Sequence, residues 1–314
     1  MPRAQRLKWR ASFGLPLFLG AVSTWSVVWL LWIFPDALTA QKNLSWQLLL
    51  SLVVLYGGAH IVRMLRLALL CLDERRYAGA LMAAHGLTGF LSSMVPFKGG
   101  EILRVAAFLQ VFDRTPKALA VWLAERFSDA VVLSTLIAGL YFLRVPLPPR
   151  MEHVLVFFVA ACAAALLALF ATSTVLVYLN RHLVLSSHSR RGLWILRSSA
   201  VLRMLELEIY RSVEGRLAGV FLLTVLVWGL EFWALWLLMA NTGGGQAEAV
   251  AAFTASMTGG LPGNESSLAA FGLYQSLSLV VLTLLTAVVL ACFVAMRGGA
   301  TSAGDGDRQR KKVL

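Results

Sequence analysis

Residues 94–104 read Met94-Val95-Pro96-Phe97-Lys98-Gly99-Gly100-Glu101-Ile102-Leu103-Arg104, and they interrupt an apolar stretch running from Ala80 to Phe112. A helix that crosses a bilayer needs about 20 apolar residues, and neither flank of this break supplies them. Pro96 removes a backbone donor while Gly99 and Gly100 loosen the chain, so the helix turns here. The pattern predicts a re-entrant hairpin, two half-helices meeting at a polar break inside the membrane. A second stretch, Glu248 to Tyr274, repeats it around Gly259-Gly260-Leu261-Pro262-Gly263-Asn264-Glu265.

On either side of these breaks the apolar blocks are long enough to span. Full spans are expected at 12–34, 46–72, 117–143, 152–179, 217–240 and 276–296, all helical because backbone groups in lipid must pair internally. Pro35 closes the first, and Pro146, Pro148 and Pro149 mark a tight turn between the third and fourth. Composition agrees: 59% of the 314 residues are hydrophobic and 14% charged, with a mean hydropathy of +0.74. So few charges cannot cover a water-soluble body. The expected fold is an all-α polytopic transmembrane bundle of six full spans and two re-entrant hairpins. Its segments are a basic tail at 1–11, a membrane domain at 12–296 and a disordered basic tail at 297–314.

The net charge of +12 has a position as well as a size. Lys and Arg gather at Arg3 to Arg10, Arg75-Arg76, Arg114 to Lys117, Arg181 to Arg216 and Arg297 to Lys312, while the alternate connections are nearly bare. This asymmetry predicts cytoplasmic termini. Charges that flank apolar spans attract anionic headgroups, so nucleic acid is not the expected partner. Residues 181–216 mix Trp194, Leu202, Leu205 and Ile209 with many Arg; a helix on the headgroups and a solvated loop both fit. The N-terminal apolar stretch is too long for a signal peptide and reads as an uncleaved span. Cys71, Cys162 and Cys292 have no metal or redox spacing.

If both hairpins return to the side they enter, every basic segment stays cytoplasmic, and the hairpins enter from opposite faces. Val121-Trp122-Leu123-Ala124-Glu125 also resembles Val227-Trp228-Gly229-Leu230-Glu231. Together these predict an inverted repeat with its substrate site between the breaks.

Ionisable residues inside a membrane are candidate functional groups, since each costs about 2.5–3.5 kcal/mol to insert. Here they are Arg63, Arg66, Lys98, Arg104, Arg126, Glu101, Glu125, Asp129, Glu231 and Glu265, with His60 and His85 at similar depth. Lys98, Gly99, Gly100, Glu101 and Arg104 lie at the start of a returning helix, where unpaired amides and cations suit a phosphate; structural pairing is the rival reading. Glu125 and Asp129 share a helix face and either form an internal ion-pair set or hold Arg126 for use. Arg66 is expected to snorkel toward the cytoplasmic end. Asn264 and Glu265 bring polar groups without a nearby cation, so Glu265 and Glu231 are expected to pair with Arg63, Arg104 or Arg126. The expected binding set is thus Lys98, Gly99, Gly100, Glu101, Arg104, Arg63, Arg126, Asn264 and Glu265. Pro96, Glu125, Asp129, Glu231, Pro262 and His60 are assigned structural or coupling roles. No nucleophile constellation, metal spacing or nucleotide loop is legible, so neither catalysis nor a cofactor is expected.

The run Pro96 to Arg104, then Glu125-Arg126-Phe127-Ser128-Asp129, then Gly260 to Glu265, resembles the flippase-like transmembrane family. That family is related to the membrane region of lysylphosphatidylglycerol synthase, the multiple peptide resistance factor. The resemblance covers about residues 12–296. It implies a bacterial inner-membrane protein that moves amphipathic lipids between leaflets. The matching positions are Pro96, Gly100, Glu101, Arg104, Glu125, Arg126 and Asp129, then Pro262 and Glu265. The synthases carry an added soluble aminoacyl-transferase domain; this chain ends at Leu314 without one, so lysine transfer is not expected. The expected function is translocation or transport of a phospholipid, glycolipid or polyprenyl-phosphate-type lipid, by a chain able to form homo-oligomers. The alternatives are an accessory subunit that docks a lipid-modifying enzyme and an intramembrane headgroup enzyme.

Overall fold

The computed structural model describes residues 45–94, 99–142, 190–242 and 272–289, with isolated positions between and beyond them. The spans expected at 12–34 and 152–179 lie almost wholly outside the described residues, as do Pro96, Lys98, Pro262, Asn264, Glu265 and both tails.

Every regular element among the described residues is helical. α1 is Trp46–Leu70, and a short 3-10 turn, Leu72–Tyr77, leads into α2, Ala78–Met94. α3 is Gly99–Val111 and α4 is Thr115–Phe142. α5 is Arg190–Val213, α6 is Leu217–Asn241, and α7 is Gly272–Val289. Ser45 caps α1 by accepting from the Leu48 amide, which satisfies one orphan donor of the first turn.

α1, α6 and α7 are long and apolar enough to cross a membrane. α4 has the length, at 28 residues, but Glu125, Arg126 and Asp129 fall in its middle and lower its hydropathy. The usual inside-outside pattern is inverted. Leu50, Val54, Ile61 and Leu65 of α1 face outward, while His60 and Arg66 of the same helix are buried. Lipid on the outside makes that arrangement favourable; water would not.

α1 is the central post. Its first half packs on α6 and α7 through Leu48, Leu52, Leu235, Leu238, Met239 and Leu273. Its last turn packs on α2, α3 and α4 through Leu67, Leu70, Leu81, Phe108, Val121 and Ala124. Between these two apolar cores lie Tyr56, His60, Arg63 and Arg66, so the polar residues sit just past the midpoint of the helix. α2 and α7 approach closely at Gly86, where an added Cβ would lie 2.8 Å from Cγ2 of Val289. Thr286 Oγ1 donates to the Gly86 carbonyl at 3.0 Å across the same contact. Small residues at such crossings let membrane helices pack by backbone proximity.

α5 bears on the reading of residues 181–216. Residues 190–213 are helical rather than a loop; Ser199 is buried, as are Glu208 and Ser212, which lie one turn apart. Lys117, counted in the sequence with the basic cluster Arg114 to Lys117, is fully enclosed at the start of α4. Its ammonium pairs with Asp73 of the 3-10 turn and donates to Ser212 Oγ at 2.8 Å. Arg114 bridges Glu74 and Glu208 beside it. Burial alone would push the Asp73 carboxyl up, but the Lys117 ammonium donates to it and holds it below its ordinary value.

Candidate functional site

Ionisable residues of α1, α3, α4 and α6 converge on one place. Arg66 of α1 donates to Asp129 Oδ1 at 2.5 Å, to Glu125 Oε1 at 2.7 Å and to Thr224 Oγ1 of α6 at 3.0 Å. It does not snorkel. The helix rotation that buries Leu67 and Leu70 turns Arg66 toward α4, where two carboxylates one turn apart receive both ends of its planar fork.

Arg104 of α3 donates to the same Glu125 oxygen at 2.6 Å. Arg126 reaches Asp129 at 3.3 Å and lies 3.2 Å from Glu101 without the alignment of a hydrogen bond. Arg63, one turn before Arg66, pairs with Glu231 of α6 at 2.7 Å and stacks over Trp228, 5.5 Å from the ring centre. Of the three cations expected to serve Glu231, Arg63 is the partner. Four guanidinium groups, Arg63, Arg66, Arg104 and Arg126, thus balance four carboxylates, Glu101, Glu125, Asp129 and Glu231. A balanced set is what low dielectric requires, because an uncompensated buried charge is far costlier than a paired one.

The segments 121–125 and 227–231 play parallel parts. Glu125 takes Arg66 and Glu231 takes Arg63, two cations three residues apart on α1. Trp122 Nε1 donates to Glu101 at 3.1 Å and Trp228 Nε1 donates to Asp129 at 3.2 Å. The sequence likeness therefore corresponds to a likeness of role.

The set is not internally satisfied. Among the described residues, Arg66 Nε, Arg104 Nε, Arg126 Nε, Glu125 Oε2, His60 Nε2 and His85 Nδ1 are buried and lack a hydrogen-bond partner. All six belong to this cluster or to the imidazole pair beside it. That pair is His60 Nδ1 and His85 Nε2, 3.4 Å apart, with Tyr56 edge-on to His60 and Tyr274 edge-on to Tyr56.

Gly99 and Gly100 open α3, and Glu101 lies in its first turn, as expected. Glu101, Arg104, Arg126, Arg63, Glu125, Asp129 and Glu231 all join the cluster; Pro96, Lys98, Pro262, Asn264 and Glu265 lie outside the described residues. Sequence reading passed over the site roles of Arg66, His85, Tyr56, Thr224, Trp122 and Trp228. One signal was available: Tyr56, His60 and Arg63 recur at i, i+4 and i+7, which puts them on one face of α1.

An ionic cluster enclosed by helices whose outer faces are apolar defines a class, that of α-helical membrane proteins. The chain belongs to the family of the lysylphosphatidylglycerol synthase TM region, whose family model matches residues 17–261. The match takes in Pro96 to Arg104 and Glu125 to Asp129. It is narrower than the resemblance over 12–296 and stops before Pro262 and Glu265. No curated protein and no solved structure matches the chain.

Proposed function

We propose that the protein is a flippase-like lipid translocase that receives a phosphorylated or zwitterionic headgroup at the start of α3 while the tail stays in lipid. One observation carries this reading: among the described residues six buried polar atoms lack partners, four of them on Arg66, Arg104, Arg126 and Glu125. An unsatisfied buried donor or acceptor costs about 1–3 kcal/mol, and a bound headgroup would recover that cost for the three Nε donors. Arg104 and Arg126 are the groups suited to take a phosphate, and the N-terminus of α3 adds its own attraction for anions.

Membership in a family named for a phospholipid-modifying synthase supports a lipid as the substrate. α2 and α3, at 17 and 13 residues, are each shorter than a bilayer span and pack on one another, which supports a re-entrant hairpin. The parallel roles of Glu125 and Glu231 support an inverted repeat. The reading places the protein in a bacterial inner membrane with cytoplasmic termini, as the charge asymmetry suggests.

Reconstitution in liposomes with a fluorescent phospholipid or polyprenyl-phosphate tests it, with exchange read by a membrane-impermeant quencher. Leaflet exchange that falls in Glu101→Ala and Arg104→Ala is the expected result. No exchange with any lipid, or exchange indifferent to both substitutions, would overturn it.

A further inference from the structure

We infer that the His60–His85 pair is a proton-binding site that compensates the charge of a bound anionic headgroup, so that lipid and proton are taken up together. The inference rests on the headgroup reading above and adds its coupling ion.

The geometry comes first. One imidazole donates and the other accepts in the Nδ1–Nε2 contact at 3.4 Å. In either tautomer the remaining two nitrogens, His60 Nε2 and His85 Nδ1, are then one donor and one bare acceptor. Both are buried without a partner, and the rings themselves are 4% and 2% exposed. The bare nitrogen is a vacant proton site. Histidine is the side chain whose ordinary titration falls between pH 5 and 8, and the arginines beside the pair do not titrate there.

The charge balance supplies the coupling. Among the described residues the cluster holds four cations and four anions, a set that is neutral when empty. An anionic headgroup among the arginines leaves it one negative charge in excess, at a depth where uncompensated charge is costly. A proton from bulk water, bound at the bare imidazole nitrogen, restores neutrality. The groups that face the pair are Tyr56 and Arg63 of α1, Arg104 of α3 and Glu125 of α4; behind them, Glu231 of α6 pairs with Arg63 and Tyr274 of α7 lies edge-on to Tyr56. With no anion bound, Arg63 and Arg104 oppose the added proton; the bound anion offsets them. Proton and anion therefore favour each other's binding, and the favour is reciprocal.

Isothermal titration calorimetry of the purified full chain in detergent, with dihexanoyl-phosphatidylglycerol as the anionic probe, tests this. Running it in two buffers of different ionisation enthalpy counts the protons taken up per lipid bound. We expect about one proton per phosphatidylglycerol, and an affinity that rises up to about tenfold per unit fall in pH. The H60Q/H85Q double variant should bind without taking up the proton, and zwitterionic dihexanoyl-phosphatidylcholine should take up none in the native protein. Phosphatidylglycerol binding without proton uptake overturns the inference and leaves the headgroup reading intact. Uptake unchanged in H60Q/H85Q, or equal for both lipids, overturns it as well. Failure to bind either lipid overturns the headgroup reading and this one with it.

Discussion

Arg66 and Asp129 lie 2.5 Å apart, Nη1 to Oδ1, with no guanidinium surface exposed. The same guanidinium binds Glu125, so one cation holds two carboxylates that would otherwise repel each other across a single helical turn. Arg66→Ala removes that cation and leaves the carboxylates to Arg104 and Arg126. The expected loss is about 3–5 kcal/mol, the cost of breaking a buried pair from one side. Thermal unfolding in detergent, followed by tryptophan fluorescence, checks it. Arg66→Lys should recover only part, since an ammonium cannot reach both carboxylates in one plane.

Arg104 shares Glu125 with Arg66 but has a free Nε. Its removal should cost less stability than that of Arg66, because Arg66 still holds both Glu125 and Asp129. Headgroup binding should weaken by about tenfold to a hundredfold, the worth of a charged hydrogen bond of about 1.5–3 kcal/mol. Flipping rate and melting temperature, measured on the same Arg104→Ala preparation, should therefore separate. If they fall together, Arg104 is a structural residue.

Gly86 is a contact of backbone on side chain, with Val289 2.8 Å from where its Cβ would stand. Gly86→Leu should push α2 and α7 apart and cost about 1–3 kcal/mol, as overpacking does. Val289→Ala in the same chain should return part of the loss. A double variant no more stable than Gly86→Leu alone would place the clash elsewhere.

Asp73 anchors the 3-10 turn to Lys117 and Arg216. Its carboxyl titrates below the ordinary value of 3.8, so its contribution is fully present above that value. It is lost as pH falls through the lower, folded value. As pH falls below 3.8 the native protein should lose thermal stability more steeply than Asp73→Asn, whose profile has no such step. Equal slopes would mean that the Lys117 contact adds nothing net.

Much of the helical arrangement was legible before any coordinate. The blocks at 46–72, 117–143 and 217–240 fall on α1, α4 and α6, because a bilayer leaves an apolar stretch of that length few alternatives to a helix. Within the stretch 94–104, α2 ends at Met94 and Gly99-Gly100 open α3, so the break was legible from equally local chemistry. The likeness of 121–125 to 227–231 was visible as letters; its meaning, two Glu each taking an Arg from α1, was not.

Arg66 marks where local reading ends. Its distance from the helix end allowed snorkelling, and only the rotation of α1 against α4 decides that it turns inward to Glu125 and Asp129. His85 is similar: nothing within α2 predicts His60 of α1 at 3.4 Å. Sequence by itself determined that this chain is a membrane protein and where α1, α4 and α6 form. These follow from composition and local backbone chemistry. Which charge meets which, and which buried atoms are left without a partner, was decided by tertiary structure alone, since pairing depends on how helices distant in sequence are rotated against one another.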